Sequence, residues 1–285
     1  MEIVHRLALS VDQTTQAELA TFGIDVPLGF AGFDVSESAT EWPTIQDWIR
    51  RRKPSDLARA RFSEDEIGQA PWLALRADLQ QGYPQPREDD FGYLQATFDL
   101  SDYCPACGIG LRQKAPFQMK GDPRWGRWGI LQLNWVFDEF FVKPDVWETV
   151  FKPHGVGERP VENRSGRTLD TVVQLVVDEL IHLDTSGLAS ETCSSCGRVK
   201  YLPITRSPIA PLIGRPTGHM VKSAEYFGSG ASAYREVIAS QELGAAIRSA
   251  DAKGVSFIPV APAVDAGIRV EDVPLAPGQS STSTT

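Results

Sequence analysis

The sequence predicts an α+β protein in which a mixed sheet domain carries a zinc-ribbon-like pair of cysteine motifs and follows a small α/β lobe. Three observations lead to this prediction. Strand-like and helix-like patterns alternate near the start, further apolar runs follow, and all four cysteines fall into two CxxC pairs. We expect an N-terminal lobe over residues 1–85, a zinc-binding domain over 86–262 and a C-terminal extension over 263–285 that is disordered at its end.

The first lobe reads as strand, helix, strand, helix and a short third helix. Glycine ends the first helix, and a proline after a basic run ends the second. Ser63 and Glu66 form a capping-box pattern that predicts the third helix. The predicted strands are 2–9 and 28–35, and the predicted helices are 11–23, 40–53 and 62–70.

A segment rich in proline and charge, residues 80–90, breaks any regular element and is the predicted internal boundary. Beyond it, alternating or continuous apolar residues predict strands, the longest of which is expected to be buried or bent. Those strands are 91–100, 130–137, 168–184 and 255–261, and helical patterns cover 144–155 and 232–254.

Composition limits the classes of function. The net charge of −9 opposes binding of the whole molecule to phosphate backbones or anionic lipid. No apolar run approaches the roughly 18 residues of a membrane span, and the start lacks a signal-peptide pattern, so we expect a cytoplasmic protein. The basic run Arg50 to Lys53 is interpreted as a solvated helix end, with a nucleic-acid contact as the alternative.

Both cysteine pairs have the form CxxCG, which is typical of zinc sites. Structural zinc takes four tetrahedral ligands with sulfur about 2.3 Å away, and each CxxC turn supplies two. Glycine after the second cysteine permits a backbone conformation that other residues resist. The sequence therefore predicts one structural zinc ion held by Cys104, Cys107, Cys193 and Cys196.

The two pairs are separated by 85 residues, Gly108 to Thr192, far more than in a compact zinc ribbon. Closing a flexible loop of that length costs roughly 4 kcal/mol, while structural zinc binding contributes about 10 to 16 kcal/mol in small peptides. The intervening chain should thus fold as part of the domain. Disulfides within each pair, a thioredoxin-like redox motif and a catalytic zinc site are less favoured alternatives.

Other candidate residues receive structural interpretations. His182 is expected to be a core or edge histidine, with metal ligation as the alternative. The glycine-rich stretch 227–232 is expected to be a turn rather than an anion site at a helix start. The acidic run 88–90 and the pair Asp138 and Glu139 are interpreted as solvated loop charges. The tryptophan- and phenylalanine-rich stretch 124–141 is expected to pack in the core, with a partner contact as the alternative.

With "CPACG" and "CSSCG" widely separated, aromatic strands between them and the closing segment 234–260, the chain resembles the double-CXXCG motif family of bacterial immunity proteins over residues 93–260. The resemblance implies a non-enzymatic binder that neutralises a toxin domain, and the acidity of the chain would suit a basic toxin. The alternative is a zinc-ribbon protein that contacts nucleic acid through Arg50 to Lys53 and Arg198 to Lys200. An enzyme whose site combines distant residues also stays open.

Overall fold

A computed structural model describes residues 1–262 of the 285-residue chain. The structure is mixed α+β and strands predominate, with 34% of residues in strands and 20% in helices. The predicted C-terminal extension, residues 263–285, lies outside the described residues. Within 1–262, none of the helices has the length and apolar character needed to cross a membrane.

The chain begins with a three-stranded antiparallel sheet covered on one face by two helices. Strand order is β2-β1-β3, and Leu7, Leu19 and Trp48 are fully buried where the helices meet the sheet. Its elements are β1 (Glu2–Val11), α1 (Gln13–Thr21), β2 (Gly29–Ser36), α2 (Trp42–Arg52) and β3 (Ser55–Arg61).

The predicted capping box is confirmed at helix α3 (Glu64–Gln69). The Ser63 hydroxyl accepts the backbone N–H of Glu66, and the Glu66 carboxylate accepts the backbone N–H of Ser63 at 2.8 Å. These two bonds satisfy donors that the first turn of a helix leaves free. The basic run Arg50 to Lys53 ends α2, as predicted, with Lys53 in the left-handed conformation.

The middle of the chain contains short strands and helices. They are β4 (Trp72–Ala77), α4 (Glu88–Phe91), α5 (Tyr93–Thr97), β5 (Phe98–Asp99), β6 (Arg112–Gln113), β7 (Gln118–Met119), β8 (Ile130–Leu131), β9 (Phe141–Val142) and α6 (Pro144–Val146). A π-helical turn (Trp147–Phe151) and a 3-10 turn (Lys152–His154) extend α6.

The last part of the chain supplies most of the longer pairings. Its elements are β10 (Gly157–Asn163), β11 (Thr168–Val176), β12 (Leu180–Leu183), β13 (Ser190–Thr192), β14 (Val199–Tyr201), β15 (Leu212–Ile213), β16 (Met220–Ser223), β17 (Val237–Ser240), α7 (Gln241–Ser249) and β18 (Val255–Pro259).

Two larger sheets pack against each other around the main core. One has the order β7-β10-β11-β9-β8 and the other the order β15-β12-β16-β17-β4-β18. Leu75 of β4, Val142 of β9, Leu175 of β11 and Leu243 of α7 are buried in the shared core. β4 lies within the predicted first lobe, residues 1–85, and its neighbours in the sheet are β17 and β18.

Two small hairpins, β5 with β6 and β13 with β14, stand apart from these sheets. Each is antiparallel, and each carries one cysteine pair in its connection. The hairpins are therefore the elements that position the predicted metal site.

The prediction of a strand over residues 91–100 is wrong. Residues 88–97 form α4 and α5, and only Phe98–Asp99 is extended. Tyr93 and Thr97 are buried four residues apart, which is the spacing of one helix face. Alternation over so few residues did not distinguish the two periods.

Three other expectations also need correction. The single strand expected over 168–184 is two strands, β11 and β12, that belong to different sheets. The strand expected over 130–137 ends at Leu131, and Trp135 adopts a positive φ of 70°. The helix expected from residue 232 begins only at Gln241, because Ser240 caps it and the β-branched residues before it form β17.

Candidate metal centre

Each cysteine pair lies in a turn of the same construction. The N–H of Cys104 donates to the carbonyl of Ile109, and the N–H of Gly108 donates to the carbonyl of Cys104. The second turn repeats both bonds, from Cys193 to Arg198 and from Gly197 to Cys193. Gly108 and Gly197 have φ values of 82° and 74°, so both occupy the left-handed region that favours glycine.

The two turns bring all four sulfur atoms together, as the sequence predicted. Every Sγ lies within 4.8 Å of the others, with 3.8 Å between Cys104 and Cys193 and 3.7 Å between Cys107 and Cys196. Four ligands about 2.3 Å from a tetrahedral centre are separated by about 3.8 Å. A disulfide requires sulfurs about 2.05 Å apart, and all four thiols are free. The arrangement therefore has the dimensions of a four-thiolate metal site.

The two pairs differ in exposure, and Cys107 and Cys196 also differ in the pKa of their thiols. Cys104 and Cys107 are buried, whereas Cys193 is half-buried and Cys196 is exposed. Burial raises the pKa of the Cys107 thiol to about 12. A hydrogen bond from Arg198 lowers the pKa of the Cys196 thiol to about 6. The exposed Cys196 is therefore easier to deprotonate than the buried Cys107, and metal ligation requires the deprotonated form of both.

Two basic side chains tie the second hairpin to the first cysteine turn. Arg198 donates from Nε to the Cys196 sulfur at 3.3 Å and from Nη2 to the carbonyl of Asp102 at 2.8 Å. Lys200 is buried, and its ammonium donates to the carbonyls of Cys107, Gly230 and Ser232. A divalent ion with four thiolates has a net charge of −2, so both cations would offset that charge.

Substituting the two turn glycines by alanine should have unequal effects. A Cβ on Gly108 would lie 2.4 Å from the carbonyl oxygen of Ala231 and 2.8 Å from the nitrogen of Ala233, while one on Gly197 would meet no atom within 4 Å. We expect Gly108→Ala to lower the free energy of unfolding by about 2 to 3 kcal/mol and Gly197→Ala by about 1 kcal/mol. Urea unfolding of both variants measures the difference, and equal losses would contradict the close contact at Gly108.

Several residues do not have the surroundings that the sequence suggested. Glu139, expected to be solvated, has a side chain that is only 15% exposed, and its carboxylate lies 2.5 Å from the Lys222 ammonium and 3.0 Å from the amide of Gln174. Asp138 is half-buried and accepts the backbone N–H of Arg235. The partners of both acids lie more than thirty positions away in the chain, so no local pattern indicated them.

The structure also shows the surroundings of His182, of the glycine-rich stretch 227–232 and of the aromatic stretch 124–141. His182 is an exposed residue of β12 whose Nδ1 lies 2.8 Å from Glu225, and it does not join the sulfur cluster. The stretch 227–232 is not followed by a helix, because β17 comes next, and it contributes carbonyls rather than N–H groups to Lys200. In the aromatic stretch, Phe140 and Phe141 are buried in the core as expected, whereas Phe137 is 43% exposed.

Comparison with known proteins adds no family to this description. No model of a known protein family matches the chain, and no curated protein is significantly similar to it. The resemblance over residues 93–260 therefore depends on the sequence motifs themselves.

Proposed function

We propose that the four cysteines hold one structural Zn²⁺ ion that fastens the β5–β6 hairpin to the β13–β14 hairpin. This proposal rests on the distances between the four sulfur atoms, which match those of a tetrahedral site. Cys104 meets Cys193 and Cys107 meets Cys196, although the two members of each pair are 89 positions apart in the chain. Four thiolates occupy every position of a tetrahedral ion and leave none for water, which favours a structural ion over a catalytic one.

Metal analysis tests this proposal directly. Purified protein should contain one zinc ion per chain, and release of the metal should free four thiols. Substitution by Co²⁺ should give the visible absorption of a tetrahedral thiolate complex. A fully folded protein that contains no metal and gains none when Zn²⁺ is supplied would contradict the proposal.

We further propose that the protein is a non-enzymatic binder, of the immunity type that its CxxCG motifs resemble. The net charge of −9 supports a basic partner, such as a nuclease toxin domain, because opposite charge accelerates association. A metal-fastened fold would hold a binding surface in one conformation before the partner arrives, which reduces the entropy lost on binding.

The test is co-expression with any toxin gene that is found beside this gene. Cells that produce both proteins should grow, and the purified proteins should elute together at low salt. Cys104→Ser should fail to protect, whereas Ser194→Ala, an exposed change in the second turn, should protect fully. Growth arrest in the presence of the intact protein, or the absence of any toxin gene beside this one, would count against the proposal.

The structure gives less support to nucleic-acid binding. Lys200 is buried and committed to three carbonyls, and Arg198 is bound to Cys196 and Asp102. In the basic run, Arg52 pairs with Glu18 at 2.6 Å. We therefore expect no gel shift with DNA or RNA even at low salt, where phosphate contacts are strongest.

A further inference from the structure

A cavity of about 240 Å³ opens where the five-stranded and six-stranded sheets meet, beside the first cysteine turn. One wall is aromatic and includes Tyr93, Phe98 and Trp135, while charged side chains form much of the rest. At roughly 30 Å³ per water molecule, the volume equals about eight waters. It therefore suits a ligand of about ten non-hydrogen atoms.

One cation on the cavity wall, Arg235, has no counter-ion among the described residues. Arg235 donates from Nη1 to the carbonyl of Ser223 at 2.6 Å and to that of Ala224, and its guanidinium lies 4.1 Å above the ring of Tyr226. These contacts hold the side chain in place but leave Nε and Nη2 available. In the part of the chain that the structure describes, Arg235 forms no ion pair.

Within residues 1–262, Asp138 on the same wall also lacks an ion pair, although its charge acts on nearby Lys222 and raises the pKa of that ammonium. One carboxylate oxygen of Asp138 accepts the backbone N–H of Arg235 at 3.1 Å. Asp138 likewise forms no ion pair with any side chain among residues 1–262. Among the described residues, the cavity lining thus holds one guanidinium, that of Arg235, and two carboxylates, those of Asp138 and Asp178, that form no ion pair.

The neighbouring buried pair neutralises itself. Lys222 and Glu139 lie 2.5 Å apart, and Gln174 donates to the second oxygen of Glu139. One of the three ammonium protons of Lys222 reaches Glu139, so the others remain for a ligand in the cavity. Lys222 therefore adds hydrogen-bond donors without adding net charge.

Backbone strain is also found at this cavity. Trp135 has a φ of 70°, which is rare for a bulky residue, and its ring packs at 4.7 Å on Phe91, which has a φ of 80°. Such conformations persist where the surrounding structure requires them, and they concentrate at functional sites. The ring of Trp135 lines the cavity.

From these features we propose that the cavity binds a small zwitterion, an α-amino acid with an apolar side chain. Its ammonium would lie against Asp138, and its carboxylate would receive hydrogen bonds from Arg235 and Lys222. The apolar side chain would contact Tyr93, Phe98 and Trp135. This inference does not depend on the proposed immunity function, since it rests on other residues.

Isothermal titration of the full-length, zinc-loaded protein with L-leucine and L-phenylalanine tests the inference. At least one should bind with a dissociation constant near or below about 1 mM. Leucinamide, which lacks the carboxylate, and N-acetyl-leucine, which lacks the ammonium, should each bind at least about tenfold more weakly. Asp138→Asn should weaken binding of the amino acid by a similar factor. Glu242→Gln is the control and should leave the affinity for the amino acid unchanged. It alters a carboxylate that is 72% exposed and lies outside the cavity.

Two results would overturn the inference. One is that neither amino acid binds at about 10 mM, roughly ten times the expected constant. The other is that the amide or the acetylated analogue binds as tightly as leucine itself. If Asp138→Asn does not fold, as judged by its melting temperature, the analogue series on the unchanged protein decides the question.

Discussion

Cys104→Ser is expected to unfold, or nearly unfold, the part of the chain that the two hairpins connect. Zinc binding to four cysteines contributes about 10 to 16 kcal/mol in small peptides, while a whole domain is stable by about 5 to 15 kcal/mol. Loss of one buried ligand should remove at least about 4 kcal/mol of unfolding free energy. Urea unfolding and metal content measured on the same sample test the expectation.

Ser194→Ala is the matched control for this substitution. Ser194 lies inside the second cysteine turn and is exposed, and its side chain is not a ligand. The Ser194→Ala variant should therefore have the melting temperature of the unchanged protein and keep one zinc ion. A strong chelator should reproduce the effect of Cys104→Ser, and added zinc should reverse it. Unchanged melting of both Cys104→Ser and the chelated protein would show that the metal does not stabilise the fold.

Lys222→Met is expected to lower the free energy of unfolding by about 3 to 5 kcal/mol, because it leaves the buried carboxylate of Glu139 without its cation. Lys152→Met is the control, since Lys152 and Glu148 form an exposed pair four residues apart whose loss should change stability by less than about 0.5 kcal/mol. The double change Glu139→Gln with Lys222→Met should recover much of the lost stability, because no charge remains buried.

The effect of Lys222→Met should also depend on pH. Burial raises the pKa of Glu139, and Lys222 opposes that rise. Without Lys222 the pKa should rise further, and the carboxyl will be neutral below it. A raised carboxyl pKa destabilises the folded state as pH increases through the unfolded and then the folded value. The variant should therefore lose less stability at acidic pH than at pH 8, and an equal loss at both would contradict a buried, unpaired carboxylate.

Local patterns predicted the parts of this fold that local interactions determine. The strands β1 and β2, the helices α1 to α3 and the Ser63 cap all depend on residues close in sequence. The cysteine pairs could also be identified from the sequence, because each CxxCG turn is complete within five residues. The 85 residues between the pairs do not indicate how far apart the pairs lie in the structure. A zinc ion with four cysteine ligands nevertheless needs both pairs at one point, and this predicted that they are close.

The features that were missed depend on residues far apart. β4 is a run of six residues that was not predicted, and its partners begin at Val237 and Val255. The sequence indicates a solvated charge at Glu139, because its partner Lys222 is 83 positions away. From the sequence, Lys200 is an alternative phosphate contact, whereas in the structure its ammonium donates to three carbonyls in other segments. Burial of a polar group depends on tertiary partners, which a single sequence does not reveal.

The position of β4 in its sheet has a consequence for synthesis of the chain on the ribosome. Leu73, Ala74 and Leu75 emerge early, yet both strands that flank them are translated more than 150 residues later. At roughly 5 to 20 residues per second, this apolar segment waits on the order of ten seconds or more without its neighbours. Exposed strands of this kind promote aggregation, so the nascent protein should depend on a chaperone until its last strand is made.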